Sequence, residues 1–366
     1  MTIVKHVIVE TIPAQHGTIQ DALKFLKEKD PEKEVVLLAE STFGGVAPLL
    51  LGAPGLRPAA IMRISILPLA LSSTDTAPFG LGILPDSSPE GKIRNIALNE
   101  KIQKGAFGSI QALMNEILQS LGARPSPYFI LDGPTHLADR AFQSCPPSLE
   151  YPRSDAPKTL KFLGGIPRGL PDPWTHKPEW WSEISENKDK KKIIGVCQGT
   201  LAINLNDLVT PTLAGLKDRK DIIVVVLIGK KGGKLPQAIS APENARVWDY
   251  IPFGEILAHA DIFITNGGYG AFQHSVGCGV PLIIAGDTEE KFEISNRGEW
   301  AGVAVNLKTG KPTPQQIEGA VDEILANPKY KIRAQEIQEE MKGYDPVGVM
   351  VDNIYEVLAE KKNALA

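Results

Sequence analysis

Residues 264–284 read ITNGGYGAFQHSVGCGVPLII and predict a strand, a glycine-rich turn and a helix in direct succession. The strand ends at Thr265, and Gly267 and Gly268 can take backbone angles that other residues avoid. The helix predicted over 269–277 points its free N–H groups and the positive end of its dipole at this turn. The arrangement suits a phosphate or diphosphate, although the turn alone would fit an ordinary tight connection equally well.

Predicted strands and helices alternate around this stretch throughout the second half of the chain. Strands are predicted at 192–197, 222–228, 246–248, 262–265, 282–285 and 303–306. Helices are predicted at 207–217, 269–277 and 290–300, and three more follow Pro314. Such alternation predicts a parallel sheet covered on both faces, a Rossmann-like domain that binds ligands at the carboxyl ends of its strands.

The first half also predicts α/β structure, with fewer clear strands. Strands are predicted at 4–9, 35–39, 60–66 and 128–131, and helices at 18–27, 46–51 and 92–121. Between the halves, residues 164–181 are rich in Pro and Trp, which predicts an ordered linker at a domain boundary.

Length and composition exclude several classes of protein. A chain of 366 residues has room for two domains, and its net charge of −4 argues against a nucleic-acid surface. Cys145, Cys197 and Cys278 are widely spaced in apolar contexts, so free buried thiols and no metal site are expected. The sequence shows no stretch long enough to cross a bilayer and no signal layout at its start, which makes the cytoplasm the expected location.

Residues 246–305 resemble the nucleotide-sugar signature of GT-B glycosyltransferases, in particular the inverting, UDP-sugar-dependent enzymes that glycosylate small molecules. The match lies in the order of short motifs. These are Tyr250-Ile251-Pro252, Glu255-Ile256-Leu257, Asn266-Gly267-Gly268, Gly279-Val280-Pro281 and Glu290-Lys291. The family fold implied is α/β with two Rossmann-like domains.

The resemblance implies roles for residues of a donor site. Tyr250 would stack on uracil beside Ile251, Asn266 would hold the diphosphate, and Glu290 and Lys291 would face the sugar hydroxyls. The backbone of the following turn and helix start would also hold the diphosphate, through Gly267, Gly268, Tyr269, Gly270 and Ala271. Upstream, KKIIGVCQGTLA at 191–202 resembles the turn that faces the diphosphate in this family, which adds Gln198, Gly199 and Thr200.

Four positions depart from the commonest family pattern. Asn266 replaces His, Ala271 replaces Ser, His274 replaces the ribose-binding Glu, and Lys291 replaces Gln. Asn and His can still donate hydrogen bonds to phosphate and ribose, so nucleotide binding is expected to survive these changes. The identity of the sugar does not follow from them. The same replacements resemble a microbial branch of the family.

The resemblance also covers most of the first half and implies the domain organisation. Residues 1–165 would form a partial acceptor-side domain, 166–190 a linker, 191–345 the donor domain, and 346–366 a helix that packs back on the first domain. The sequence starts after the family's Gly-His turn, whose His is the general base, so an incomplete N-terminal domain is expected. Glu40 occupies the position of the acid that orients this His, and it could equally be an exposed strand cap.

The expected function is inverting transfer of a sugar, with glucose the expected one, from a UDP-sugar to a phenol, polyketide or flavonoid, without a cofactor. A homodimer, or a heteromer whose other chain supplies the base, is expected. The alternatives are a truncated enzyme, a non-catalytic nucleotide-sugar-binding subunit and a UDP-sugar epimerase. The segment ALSSTDTAPFGLGILP at 70–85 could line an acceptor pocket through Ser72, Ser73, Asp75 and Thr76, or could be an internal packing loop.

Overall fold

The computed structural model describes residues 2, 4–166, 174, 176–199, 204–288 and 290–365. The strands are β1 (Val36–Glu40), β2 (Ala60–Ser65), β3 (Arg140–Gln143), β4 (Leu160–Phe162), β5 (Lys192–Cys197), β6 (Ile222–Leu227), β7 (Ala245–Trp248), β8 (Ile262–Thr265), β9 (Leu282–Ile284) and β10 (Ala304–Asn306). The α-helices are α1 (Ile12–Lys29), α2 (Ala47–Leu50), α3 (Pro89–Lys104), α4 (Gly108–Ser120), α5 (Gly133–Leu137), α6 (Trp181–Ser185), α7 (Val209–Leu216), α8 (Phe253–Leu257), α9 (Tyr269–Gly277), α10 (Lys291–Trp300), α11 (Pro314–Ala326), α12 (Lys329–Lys342) and α13 (Pro346–Leu365).

The chain divides into two compact units. Unit 1 comprises Met1–Gly164 and Tyr344–Ala366, and unit 2 comprises Gly165–Gly343. The segment predicted as a linker therefore falls in unit 2, where its described part includes α6. Trp181 and Ile184 of this helix are buried in the core of unit 2, so this part of the segment is packed structure.

Unit 2 contains a six-stranded sheet in the order β10-β9-β8-β5-β6-β7, and every pair of neighbours is parallel. The chain moves outward from β5 to β7, returns to the other side of β5 at β8, and moves outward again to β10. This is the Rossmann strand order, and it confirms the parallel sheet predicted for the second half. The order reverses between β5 and β8, and ligands bind at such a point.

Both faces of the unit 2 sheet are buried, as the apolar sequence of β6 illustrates. All six residues of IIVVVL are buried, and successive side chains point to opposite faces. Ile222, Val224 and Val226 pack into a cluster with residues of α7 and α11. Ile223 and Val225 pack into a second cluster with residues of α6 and α8. Continuous β-branched runs form strands here because each face has a helix layer to cover it.

The start of α11 in unit 2 follows a local capping signal. The Thr313 hydroxyl accepts a hydrogen bond from the Gln316 N–H at 3.2 Å, and the Gln316 amide oxygen accepts one from the Thr313 N–H at 2.9 Å. This reciprocal capping box, with Pro314 in the first turn, fixes the start of α11.

Unit 1 contains a four-stranded parallel sheet in the order β1-β2-β3-β4. The C-terminal helix α13 belongs to this unit. Its Val357 is buried in a cluster with Ala60, Met62 and Phe142 of the sheet. The Lys361 ammonium lies 2.7 Å from an Asp139 carboxylate oxygen, which adds a polar contact at the same helix.

Two strands predicted in unit 1 are wrong. Val4–Val9 forms a π-helix, and Val9 packs with α4 rather than beside another strand. Residues 128–131 form a loop, in which the Ile130 N–H donates to the Gln111 side-chain oxygen at 2.8 Å. The ring of Phe129 meets that of Phe107 edge-on at 5.1 Å. Val9 and Ile130 pack into a cluster with α4, whereas Val7 and Tyr128 are exposed, and a periodicity of apolar residues cannot distinguish such partial burial against a helix from the burial of a strand.

The long helix predicted over 92–121 is also wrong, because it is two helices. Gly105 ends α3, with its N–H donating to the Lys101 carbonyl at 2.9 Å, and α4 begins at Gly108. The strands β3 and β4 were not predicted. Both are short, and RAFQ and LKF each carry a charged residue, so neither gives a clear apolar run.

Candidate functional site

A cavity of about 330 Å³ opens in unit 2 at the carboxyl ends of β5, β6 and β8, where the strand order reverses. Its wall is formed by Cys197, Gly199, Leu227, Gly229, Tyr250, Ile251, Phe253, Thr265, Asn266, Gly268, Gly270, Ala271, Glu290 and Lys291. Strand ends and the starts of α8, α9 and α10 thus supply the wall, which is the composition of a nucleotide site in a Rossmann fold.

The N-terminus of α9 forms one side of this cavity. Gly268 is the N-cap residue, and the first backbone bond within the helix runs from the Phe272 N–H to the Gly268 carbonyl at 3.0 Å. The backbone N–H groups of residues 268–271 therefore have no acceptor within the helix, and the positive end of the helix dipole lies at these groups. Phe272 and Val276 are fully buried and fix the helix against the sheet.

Asn266 is held at the end of β8 between two glycines. A Cβ atom on Gly199 would lie 2.8 Å from the Asn266 side-chain nitrogen, and Gly199 has a φ of +106°. On the other side, a Cβ atom on Gly286 would lie 2.1 Å from the Asn266 carbonyl oxygen. Both positions thus require glycine. The close approach of Gly199 to the Asn266 side chain and of Gly286 to the Asn266 carbonyl fixes the position of the Asn266 amide.

Lys291 brings a positive charge to the same part of the cavity. It is the first residue of α10 and is 8% exposed, and its ammonium donates to the Thr288 hydroxyl at 3.3 Å. A Cβ atom on Gly267 would lie 3.4 Å from the Lys291 Cβ, so the lysine starts directly beside the glycine turn. Glu290 precedes it as the N-cap residue of α10 and is half-buried. An ammonium and a helix N-terminus together favour an anionic ligand.

Aromatic and apolar side chains form the part of the cavity wall that follows β7. Tyr250 and Ile251 follow the strand, and Phe253 begins α8. Phe253 meets Phe263 edge-on, with ring centroids 5.6 Å apart, and its ring also lies 5.6 Å from that of His274. A flat ring can stack on such a surface, which suits a nucleobase.

The structure brings nine of the predicted donor-site residues together in this wall. They are Gly199, Tyr250, Ile251, Asn266, Gly268, Gly270, Ala271, Glu290 and Lys291.

Four other predicted residues are not among the described wall residues. The Gly267 N–H donates to the hydroxyl of the wall residue Thr265, the Tyr269 ring is buried against Phe272, and His274 is exposed. Gln198 is buried, and its side-chain oxygen has no hydrogen-bond partner in the part of the chain that the structure describes. Thr200 lies outside the described residues.

Five wall residues were not predicted, namely Cys197, Leu227, Gly229, Phe253 and Thr265. Cys197, Leu227 and Thr265 each end a strand, and that position was the available signal. Burial raises the pKa of the Cys197 thiol, and the N–H of Gly199 opposes this rise. The thiol is therefore a neutral wall group at physiological pH.

Glu40 ends β1 in unit 1, as predicted, at the carboxyl end of the sheet. Its carboxylate accepts hydrogen bonds from the Thr42 N–H at 2.7 Å and from the hydroxyls of Ser41 and Thr42. Buried Arg63 holds the same turn by donating to the carbonyls of Ser41 and Phe43 at 2.5 and 2.9 Å. Burial lowers the pKa of Arg63 to about 10, and the Glu40 charge opposes this shift. These contacts are those of a strand cap, and the orienting role stays a prediction.

The polar groups of the segment 70–85 point into unit 1. The Ser72 hydroxyl accepts from the Gln103 amide at 3.1 Å, and the Ser73 hydroxyl donates to Asp155 at 2.6 Å. Asp75 and Thr76 are each 2% exposed. These side chains therefore support the packing-loop interpretation of this segment rather than the acceptor-pocket one.

Asp75 predicts an acid dependence of stability. The N–H and hydroxyl of Ser154 donate to its carboxylate at 2.6 and 2.7 Å, and these bonds lower its pKa to about 2. Because the pKa is lower in the folded state than in the unfolded one, the stabilisation is complete above about pH 4 and is lost as the pH falls towards 2. Its size is about 2 kcal/mol.

We therefore expect Asp75→Asn to remove part of the loss of unfolding free energy between pH 4 and pH 2. Guanidinium unfolding followed by far-ultraviolet circular dichroism at these two pH values measures the difference from the wild type. Asp21→Asn, at an exposed position of α1, is the control and should leave the pH dependence unchanged. Equal pH dependence in Asp75→Asn and the wild type would contradict the assignment.

In the described residues no helix has the length and apolar character needed to cross a membrane. The same residues contain no group of three or more His, Cys, Asp or Glu side chains placed to hold a metal ion.

Comparison with known proteins relates the chain to glycosyltransferases. Residues 212–356 match the family model described as Erythromycin biosynthesis protein CIII-like, C-terminal domain. UDP-glucosyltransferase A1 of Starmerella bombicola is 39% identical over 354 residues, which are 97% of this chain and 74% of that protein. UDP-glycosyltransferase 2 of Phaeomoniella chlamydospora is 41% identical over 97% of this chain and 78% of its own length.

Solved structures share the fold at lower identity. The glycosyltransferase of kitacinnamycin is 18% identical and superposes with a TM-score of 0.67 over 96% of this chain and 83% of that one. CalG4, the calicheamicin glycosyltransferase, is 17% identical with a TM-score of 0.63 over 92% and 77%.

Proposed function

The chain belongs to the microbial-type, family 1 UDP-glycosyltransferases of the GT-B fold, and from this membership we propose that it transfers glucose from UDP-glucose to a hydroxyl group of a small lipophilic acceptor with inversion. Enzymes of this family move a sugar from a UDP-sugar. The sugar, the acceptor class and the stereochemical outcome are the proposed parts. The names of the relatives, UDP-glucosyltransferases, support glucose as the sugar.

The cavity of unit 2 is the observation that carries the proposal. Its wall combines an aromatic surface after β7 with the α9 N-terminus and a buried lysine. A nucleoside diphosphate has a flat ring at one end and two negative charges at the other, so it matches this wall in both shape and charge. We assign the base to Tyr250 and Ile251 and the diphosphate to Asn266 and the first turn of α9.

The same groups can stabilise the leaving UDP. Negative charge grows on the diphosphate as the sugar–oxygen bond breaks, and the α9 N-terminus and the Lys291 ammonium are already oriented before that step. Groups that need no reorganisation lower the barrier most. Inversion further requires a base on the sugar face opposite the diphosphate, and we propose that Glu40 orients that base.

Titration calorimetry of the pure chain with UDP tests the donor site. We expect one UDP per chain, and we expect Gly268→Val to weaken binding about tenfold or more, because a branched side chain at the N-cap of α9 enters the cavity. The control is Gly319→Val at an exposed position of α11, where a Cβ atom meets nothing within 4 Å. Absence of UDP binding, or equal affinity in Gly268→Val and the wild type, would reject the donor site.

Incubation with UDP-glucose and a simple phenol tests the transfer itself. A β-linked glucoside is expected from the α-linked donor, and its anomeric configuration is read by NMR. Product from the pure chain would show that catalysis needs no second subunit. Product only after addition of a co-purifying protein would show that the base comes from a partner. UDP-glucose consumption without a phenol adduct would favour hydrolysis or epimerisation instead.

A further inference from the structure

The connection between β6 and β7, residues 228–244, passes beside the aromatic end of the cavity. It contains no helix or strand, and most of it is exposed. Its first glycine, Gly229, lines the cavity with a φ of +81°, and Gly232 has a φ of +77°. Lys230 and Lys231 lie between these two glycines, and Lys234 follows them. We call residues 229–234 the lysine loop.

Asp249 connects the lysine loop by hydrogen bonds to Tyr250, which with Ile251 forms the proposed nucleobase-binding surface. One oxygen of its carboxylate accepts a hydrogen bond from the Tyr250 N–H at 2.7 Å. The other oxygen accepts one from the Gly232 N–H at 2.6 Å. Its backbone carbonyl accepts a third from the Lys230 N–H at 3.2 Å. A charged acceptor makes such bonds about twice as strong as neutral ones, so a single residue fixes both segments.

Lys231 completes the connection on the side-chain level. Its ammonium lies 5.1 Å from the centroid of the Tyr250 ring, within the range of a cation–π contact. Tyr250 and Gly229 line the cavity, and among the described wall residues Lys231 does not appear. The ammonium therefore contacts the ring of a wall residue from the lysine loop without being part of the described wall itself.

We propose that Asp249 is a positioning residue for the nucleobase: it holds Tyr250 and Ile251 in the orientation that a uracil ring needs, and the contact of the Lys231 ammonium with the Tyr250 ring supports that orientation. This inference rests on the proposed donor site. A binding surface that is ordered before the ligand binds loses less conformational freedom on binding, which increases the affinity. The effect is confined to the base, because the diphosphate contacts come from β8, α9 and α10.

The test compares a ligand that has the base with one that lacks it. UDP and inorganic pyrophosphate are titrated by calorimetry into the wild type, Asp249→Ala, Asp249→Asn and Lys231→Met. Asp249→Ala is expected to weaken UDP binding about tenfold and to leave pyrophosphate binding within about twofold. Asp249→Asn keeps one acceptor oxygen and should fall between, and Lys231→Met should weaken UDP binding about two- to fourfold. Asp218→Ala, at an exposed site in the same unit, is the control.

Each outcome separates the two proposals. If the wild type binds UDP and Asp249→Ala loses UDP and pyrophosphate to the same extent, Asp249 merely supports the fold and the inference is wrong. Unchanged UDP binding in both Asp249→Ala and Lys231→Met would overturn it as well. Lys231→Met changes an exposed side chain, so it remains informative if Asp249→Ala fails to fold. Absence of UDP binding in the wild type would instead reject the donor site itself.

Discussion

Replacing Gly199 with alanine is expected to weaken UDP binding by about 10- to 100-fold. The φ of +106° at this position strains any residue that has a Cβ atom. The new methyl group would also lie 2.8 Å from the side-chain nitrogen and 3.1 Å from the side-chain oxygen of Asn266. The Asn266 amide must therefore leave its place in the cavity wall, and the hydrogen bond that we propose it donates to the diphosphate would be lost.

A double-mutant cycle shows whether the loss runs through Asn266. Asn266→Ala removes the amide that meets the new methyl group, so Gly199→Ala should cost much less affinity in that background than in the wild type. Gly254→Ala is the matched control, because its Cβ atom on α8 meets nothing within 4 Å. Calorimetry gives the four affinities, and circular dichroism checks that each variant is folded. Additive losses in the cycle would mean that Gly199 acts independently of Asn266.

The strands and helices of unit 2 could be predicted closely from the sequence. The bounds predicted for β5, β8 and α9 agree with the structure at both ends, and those of β6 differ by one residue. Unbroken apolar runs such as IIVVVL arise where a parallel strand has helices on both faces, so a local pattern is enough to find them. The order of the strands needed the structure, because parallel neighbours are not neighbours in sequence.

Unit 1 was less predictable, because its apolar runs pack in more than one way. The run VKHVIV forms a π-helix against α4, although its composition favours a strand. The strands β3 and β4 are four and three residues long, and each owes its place to pairing with its neighbour, β3 with β2 and β4 with β3, rather than to its own sequence. Tertiary pairing decides such short elements.

The residues of the candidate site were also only partly predictable from the sequence. Glycine and asparagine after β5 and β8, and the lysine that begins α10, stood out because their chemistry suits an anion. Leu227 and Cys197 are ordinary core residue types, so nothing in the sequence marks them as cavity wall. Asp249 acts on the backbone of residues that are distant in sequence from one another, and a motif cannot show such hydrogen bonds.

Replacing Arg297 with methionine is expected to lower the free energy of unfolding of unit 2 by about 3–5 kcal/mol. Arg297 is 1% exposed, and its guanidinium lies 2.7 Å from the Glu293 carboxylate one turn earlier on α10. It also donates to the Glu293 carbonyl at 3.2 Å. Methionine fills much of the space but removes the guanidinium that faces the buried Glu293 carboxylate, and the cost of removing that carboxylate from water is then less well offset.

All five tryptophans lie in unit 2, one of them, Trp300, on α10, so guanidinium unfolding followed by tryptophan fluorescence measures this loss directly. Adding Glu293→Gln to Arg297→Met removes the buried charge and should restore a substantial part of the stability. The exposed pair of Lys342 and Glu339, 2.6 Å apart on α12, is the control, and Lys342→Met should cost no more than about 0.5 kcal/mol. A cost below about 1 kcal/mol for Arg297→Met would mean that the Glu293 carboxylate is compensated by another group.

The same variant should also weaken UDP binding, because α10 begins with Lys291. Such a loss would connect the buried ion pair to the Lys291 ammonium that we propose faces the diphosphate.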